Sequence, residues 1–297
     1  MFIHIQSEAD LELSLIHILN IKEIHSCDTL NEALTFLYTH PEVKPIAAGT
    51  DVIPAVRDHL SENPVLLDLH KLQELDYIKF EDGFIKIGVR TTHDTLSNSP
   101  LIRQYIPALA HACGQVGSAQ IRRRATIGGN ICHASPAADS VPVLVAAGAS
   151  VTYRSKDNSH TLLLEEFLTG PRRTRLPAGA LLTEISVPIP EGGWIGDYYK
   201  VGGRTALTIA ITSAAVLYGL GEWRVAYGSM SAHVERSRDV EEHLFKDNVT
   251  RESINQVVSQ SLSPISDVRA SAAYRSIAAG NLTWLGWHEI YEKGMTK

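Results

Sequence analysis

The sequence predicts an α+β fold built in two parts, and three observations carry that expectation. A chain of 297 residues, 44% hydrophobic and 20% charged, is long enough for about two domains with real cores. Glu191-Gly192-Gly193 interrupts the pattern just after a strand closed by Pro188 and Pro190. It divides the chain into 21–190 and 194–297. Beyond it, strands follow one another and helices come afterwards, an order that suggests α+β architecture rather than a repeating βαβ array.

The elements follow in order. Residues 1–20 contain the greasy string Leu13-Ser14-Leu15-Ile16-His17-Ile18 but lack the basic start and small-residue cleavage site of a signal peptide. The segment reads either as a short element packed on the body or as an extension foreign to the native gene, and no function is assigned to it. Thr29-x-x-Glu32 is a capping box, and Leu30, Ala33, Leu34 and Leu37 share one face of the helix it opens. That helix ends by Pro41. A short strand, Ile46-Ala47-Ala48, runs into Gly49-Thr50-Asp51, after which a helix follows, and Val65–Leu69 is a buried strand. Two alternating strands from Tyr77 to Val89 flank Asp82-Gly83, which suits the left-handed dihedrals of a tight hairpin. A helix spans Pro107 to Gly114, then a basic loop carries Arg122, Arg123 and Arg124, and an apolar segment covers Asp139 to Ala147. Ala149–Tyr153 and Leu181–Val187 are strands. After the boundary come three strands (Tyr198–Val201, Leu207–Tyr218, Trp223–Ser229) and helices over Arg251–Ser261 and Asp267–Ile277.

Composition excludes several functions. A net charge of −6 with a pI near 6.1 argues against a nucleic-acid coat or a membrane-surface binder. The longest apolar run, Val141 to Val151, is broken by Pro142, Gly148 and Ser150 and is too short to span a bilayer. Three scattered cysteines do not make a disulfide framework, and fit a reducing, cytosolic setting. They are also too few for an iron–sulfur cluster, which takes about four thiolates. Thirteen dispersed histidines complete no zinc set around Cys132-His133. No G-x-G-x-x-G follows a strand, and no P-loop, H-E-x-x-H or G-x-S-x-G is present.

Two glycine-bearing segments carry more: Ala48-Gly49-Thr50-Asp51 and Thr126-Ile127-Gly128-Gly129-Asn130. Glycine lets the main chain approach a ligand closely, and successive free N–H groups form an anion cradle, stronger where a helix starts. Either segment alone reads as a plain turn. Two of them, from separate strands, could clamp a pyrophosphate from both sides, which hints at a dinucleotide.

The second segment continues as Ile131-Cys132-His133-Ala134-Ser135-Pro136-Ala137-Ala138-Asp139. The whole string resembles the T-x-G-G-N-I-x-x-A-S-P-x-x-D stretch of the FAD-binding subunits of molybdenum hydroxylases, the family of xanthine dehydrogenase and aerobic carbon monoxide dehydrogenase. Gln115–Arg122 and Ile46-Ala47-Ala48-Gly49-Thr50-Asp51-Val52 resemble that family's segments in the same order, and the likeness extends over roughly 20–295. The resemblance implies a two-lobed FAD-binding domain of the vanillyl-alcohol-oxidase-like (PCMH) type, followed by a smaller α+β domain with a three-stranded sheet and helices. It implies that Ile46–Val52 is a first pyrophosphate loop and that Thr126, Ile127, Gly128, Gly129 and Asn130 form a second. By the same resemblance His133, Ser135 and Asp139 line the nucleotide, Leu181 or Leu182 lies near the isoalloxazine, and Lys200 lies close to the ring. A cation there would favour the anionic reduced flavin.

The implied role is that of an electron relay with no catalytic residue of its own. Electrons would arrive from [2Fe–2S] clusters in a small subunit, fed by a molybdopterin-bearing large subunit, and leave to NAD⁺ or another acceptor. Three departures from the family pattern stand out. Ala48 replaces a glycine, Arg123 an asparagine, and His133 a smaller polar residue. If position 48 needs left-handed backbone, alanine is strained there by about 1 kcal/mol or more. Two other readings stay open: a stand-alone FAD-dependent reductase or oxidase of the same fold group, and a flavin-free remnant.

Overall fold

The computed structural model describes residues 21–58, 64–204 and 207–294, so the expectations for 1–20 lie outside the described residues. The first lobe runs β1 (Glu23–Ser26), α1 (Leu30–Thr39), β2 (Lys44–Ile46), α2 (Val52–Arg57) and β3 (Val65–Asp68), with a parallel sheet in the order β1-β3-β2. Thr29 Oγ1 accepts from the Glu32 N–H, as the capping box requires. The reciprocal bond closes one residue earlier than expected, since the Glu32 carboxylate accepts from the Asp28 N–H. Leu30, Ala33, Leu34 and Leu37 are the buried face of α1. The strand expected at Ile46–Ala48 ends at Ile46, because β2 is paired only as far as Asp68 of β3. From Ala47 onward the chain leaves the sheet.

The second lobe begins with β4 (Ile78–Glu81) and β5 (Phe84–Gly88), joined through Asp82 (φ 55) and Gly83 (φ 79). The Asp-Gly pair thus adopts the left-handed geometry its sequence demands. Six short helices follow: α3 (His93–Asn98), α4 (Pro100–Tyr105), α5 (Pro107–Gly114), α6 (Ala119–Arg122), α7 (Ile127–His133) and α8 (Ser140–Ala146). Then come β6 (Ser150–Arg154), β7 (Ser159–Leu163), α9 (Leu164–Phe167), the small pair β8 (Leu168–Gly170) and β9 (Arg173–Thr174), and β10 (Leu181–Pro188). The antiparallel sheet is ordered β4-β5-β10-β6-β7. Arg122 ends a helix capped by Ser118 rather than lying in a loop. The Thr126–Asn130 segment is likewise an N-cap and first helical turn, not a loop.

The remaining elements are β11 (Ile195–Gly202), β12 (Ala210–Gly219), β13 (Glu222–Gly228), β14 (Glu235–Arg236), α10 (Arg238–His243), α11 (Arg251–Ser261) and α12 (Ala272–Glu292). The three expected strands are present, and a two-residue fourth, β14, corrects the sheet to four strands. Leu207 is left-handed (φ 53), and β12 starts only at Ala210. Side chains alternate along the sheet. Tyr198, Ala215, Leu217 and Ala226 join the core of the second lobe, whereas Ala214, Val216, Val225 and Tyr227 form a second core with α10–α12. Burial on both faces explains the near-continuous apolar run of β12. The helix expected over 267–277 starts at Ala272, because Asp267 is used in a turn that accepts the Arg269 and Ala270 N–H groups. Arg275 is fully buried and ties α12 down by donating to Asp267 and to the carbonyls of Ile211 and Ser229.

Candidate functional site

A cleft of about 480 Å³ opens between the Ile46–Val52 segment of the first lobe and α7 of the second. On the first wall, Gly49 turns the chain with φ 73, and the Ile53 N–H to Gly49 carbonyl bond opens α2. Among the described residues, no protein group accepts from the N–H groups of Ala48, Gly49, Thr50 or Asp51. A row of unpartnered amides at a helix start is an anion cradle of the kind the Ala48-Gly49-Thr50-Asp51 string predicts. Ala48 is not left-handed, so the strain considered for alanine at this position does not arise. The Asp51 side chain makes no capping bond and instead reaches His133 Nδ1 at 2.6 Å on the opposite wall.

The second wall is built differently. Thr126 caps α7 by accepting from the Gly129 N–H at 3.2 Å. The Ile127 N–H donates to the Thr91 carbonyl and the Gly128 N–H to the Val89 carbonyl, both at 3.0 Å. The cradle expected here is therefore not free: the first-turn amides are bonded to their own protein. A Cβ on Gly128 would lie 2.5 Å from the Val89 Cβ and 2.8 Å from its carbonyl oxygen, so this glycine serves close packing. A Cβ on Gly129 would meet only Thr126 Oγ1. Ile127 is buried in the core. What this wall offers the cleft is side chains. Asn130 Oδ1 accepts from Ser140 Oγ at 2.9 Å, leaving its amide N–H groups as donors.

Leu181 and Leu182 line a small apolar annex of about 140 Å³ that shares Pro45, Ala47, Thr126, Gly129 and Cys132 with the cleft. Ser135 lies off the cleft, its hydroxyl accepting from the Ala137 N–H. Asp139 and Lys200 are also elsewhere, paired with each other: Lys200 Nζ is 3.0 Å from Asp139 Oδ2, and both are about nine-tenths buried. Tyr198 donates to Asp139 Oδ1 at 2.7 Å. Burial pushes the Asp139 carboxyl up, with Lys200 and Tyr198 opposing. Lys200 lines a separate cavity of about 380 Å³ together with Gln115, Gly117 and Arg122. Val116 and Ile121 line the cleft, so the 115–122 stretch stands between the two spaces. Leu181 and Lys200 do not converge on one cavity.

Three further residues of this region carry no local sequence signal. Arg172 lines the cleft, held in a left-handed conformation (φ 56) with its N–H on the Ala134 carbonyl. Arg90 lines the apolar annex, its Nη1 buried without a partner among the described residues. His93 lines the cleft with 0% exposure, and neither ring nitrogen has a partner among the described residues. A Thr-Thr-His triplet at a helix start carries no signal of such burial.

These features fit a nucleotide diphosphate. One wall supplies free amides and the other supplies unpartnered side-chain donors. The acid at the cleft, Asp51, already has His133 as its partner, and the annex is apolar. A nucleotide-binding α+β protein is the class that fold and cleft define. Comparison with known proteins gives the family. Residues 19–190 match the FAD binding domain in molybdopterin dehydrogenase, and residues 197–290 match the CO dehydrogenase flavoprotein C-terminal domain. The glyceraldehyde dehydrogenase medium chain of Sulfolobus acidocaldarius is 32% identical over 273 residues, covering 89% of this chain and 96% of that one. A putative xanthine dehydrogenase FAD-binding subunit of Escherichia coli (strain K12) is 30% identical over 261 residues, covering 84% and 89%. In fold the chain matches carbon monoxide dehydrogenase of Hydrogenophaga pseudoflava with a TM-score of 0.84 at 24% identity, over 92% of this chain and 98% of that one. The chain belongs to the family of FAD-binding subunits of molybdenum hydroxylases of the xanthine and carbon monoxide dehydrogenase type, and is an oxidoreductase subunit. No helix among the described residues is long and apolar enough to cross a membrane.

Proposed function

We propose that FAD binds extended along the interlobe cleft, with its diphosphate against the Ala48–Asp51 amides and the side chains of the Thr126–Asn130 helix start. The observation that carries this reading is the row of unpartnered amides at Ala48, Gly49, Thr50 and Asp51 facing Asn130 across the cleft. Helix-start amides of this kind hold phosphate oxygens with fixed dipoles that need no reorganisation. Thr126 keeps a hydroxyl proton to donate, and Leu181 and Leu182 offer an apolar surface to the flavin end. A flavin held here would supply both one- and two-electron redox chemistry, and the chain's own part would be to hold and orient it. Residues 21–190 form the FAD-binding unit, and 194–297 form the second, family-specific unit.

In this reading the electrons come from [2Fe–2S] clusters of a partner small subunit, supplied by a molybdopterin-containing large subunit. They leave to NAD⁺ or another acceptor in the cytoplasm. The three cysteines of this chain support the assignment of the clusters elsewhere: Cys113 and Cys132 have thiols pushed up by burial, Cys132 to about 12, which disfavours the thiolate a cluster needs. The test is direct. Purified chain titrated with FAD should turn yellow, quench flavin fluorescence, and gain about 2.7 kcal/mol of stability at a hundredfold excess over Kd. Absence of both binding and stabilisation removes the reading. Co-expression with a small and a large subunit of this family then checks the relay, since a substrate oxidised by the large subunit should bleach the flavin within the complex and leave the isolated flavin chain yellow.

A further inference from the structure

We propose that Arg172 is a diphosphate-binding residue of the cleft, its guanidinium closing from the rim on the phosphate oxygens of the bound dinucleotide. The inference rests on the FAD reading above and adds to it a residue outside both glycine-bearing segments. Pro171 and Arg172 alone join β8 to β9, and Arg172, the second of the pair, is left-handed with φ 56. Glycine or asparagine normally takes such a place in a turn, because a larger side chain makes it costly. An arginine held there against its backbone preference is explained by a demand on its side chain. Its starting point is fixed as well. The Arg172 N–H donates to the Ala134 carbonyl at 3.1 Å, and Ala134 is the left-handed cap (φ 49) that closes α7 one residue after His133. His133 in turn meets Asp51, the last residue of the amide row, at 2.6 Å. The arginine side chain therefore starts out beside the Asp51 end of that row.

The charges around the cleft give the same answer. Among the described residues, Arg172 is the one lysine or arginine that lines it. Asp51 and His133 are partners of each other, and the His93 ring is wholly buried. The exposed Arg172 guanidinium has no hydrogen-bond or ion-pair partner among the described residues, so it can turn to a ligand without breaking an internal contact. A diphosphate brings two negative charges into a cleft that already holds the Asp51 carboxylate, and like charges at that range repel. Amide dipoles orient the phosphate oxygens but carry no net charge to offset theirs. Arginine does, and its planar fork donates two parallel N–H bonds to phosphate. Arg173, exposed on the same hairpin but off the cleft, serves as the control for a charge that is merely nearby.

The test compares FAD and ADP, which carry the diphosphate, with riboflavin, which has the ring and no phosphate. Arg172→Gly removes the guanidinium and suits the left-handed backbone. It should weaken FAD and ADP roughly tenfold to a hundredfold while leaving riboflavin affinity unchanged. Because glycine relieves the turn and no internal side-chain bond is lost, the free variant should melt no lower than the parent. Affinity lost without stability is a result that a structural role does not give. Arg172→Lys keeps the charge without the fork and should recover part of the FAD affinity. Arg173→Gln, the same change of charge off the cleft, should alter FAD affinity by less than about threefold at physiological ionic strength. Added salt should weaken FAD binding by the parent more than binding by Arg172→Gly. Equal FAD affinity in the parent and Arg172→Gly, a loss shared by riboflavin, or a loss matched by Arg173→Gln would overturn the role of Arg172 alone. Failure of the parent itself to bind FAD would instead overturn the cleft reading.

Discussion

The two glycine-bearing segments look alike in sequence, and the fold uses them in different ways. At Ala48-Gly49-Thr50-Asp51 the chain has just left a strand, one left-handed glycine turns it, and four amides find no protein partner among the described residues. At Thr126–Asn130 the helix start is pressed against the end of β5, and the carbonyls of Val89 and Thr91 take the amides of Gly128 and Ile127. The first segment is a donor row. The second is a packing joint whose side chains reach the cleft. The general lesson is that glycine serves two separate physical ends, positive φ and close approach, and spacing alone does not say which. Gly49 serves the first end and Gly128 the second.

Substitutions can break this contrast. Gly128→Val should be the most damaging, because its side chain would collide with the Val89 backbone and Cβ. A loss of about 3 kcal/mol in denaturant unfolding is expected, against under about 1 kcal/mol for Gly129→Ala. If the two glycines cost the same, the joint assignment is wrong. Of similar size is the acid sensitivity of the second wall. The unfolded-state imidazole takes a proton near 6.5 and buried His93 only near 4, so stability present above pH 6.5 falls by about 3 kcal/mol as the pH drops to 4. His93→Phe should flatten that part of an acid-unfolding curve.

Gly49→Val comes next. Its φ of 73 suits L-residues poorly, and a Cβ would sit 2.7 Å from Ile53 Cγ1, so about 1–2 kcal/mol of stability should go. FAD affinity should fall by far more than that strain implies, because the amide row loses its shape. Retained affinity would show that the row is not the grip. The smallest effect is expected at the bridge between the walls. His133→Ala removes the contact with Asp51, a pair with an exposed carboxylate, and should change stability by under about 1 kcal/mol. A larger loss in thermal melts would mean that the two walls are coupled before any ligand arrives.

Much of this was legible from local pattern. The Asp82-Gly83 hairpin, the Pro107–Gly114 helix, the Arg251–Ser261 helix and the buried face of α1 follow from turn chemistry and periodicity, which act within a few residues. The last helix starts at Ala272 and not at Asp267 because Asp267 is drawn into a turn and bonds Arg275, a use of an acid that locally resembles an ordinary helix start. The site divided in the same way. The first segment could be read, whereas the partnered amides of α7, the Lys200–Asp139 pair and the orphaned ring of His93 all depend on residues far apart in the chain.

The amino-acid order by itself determined the fold class, the two segments bordering the cleft and the family, because helix periods, turn dihedrals and motif strings are properties of neighbours. Only the tertiary structure decided which amides stay free, which charges neutralise each other, and which buried ring is left wanting a partner. Those outcomes depend on what other strands and helices bring within about 3 Å, the reach of a hydrogen bond, and such proximity is not a property of local sequence.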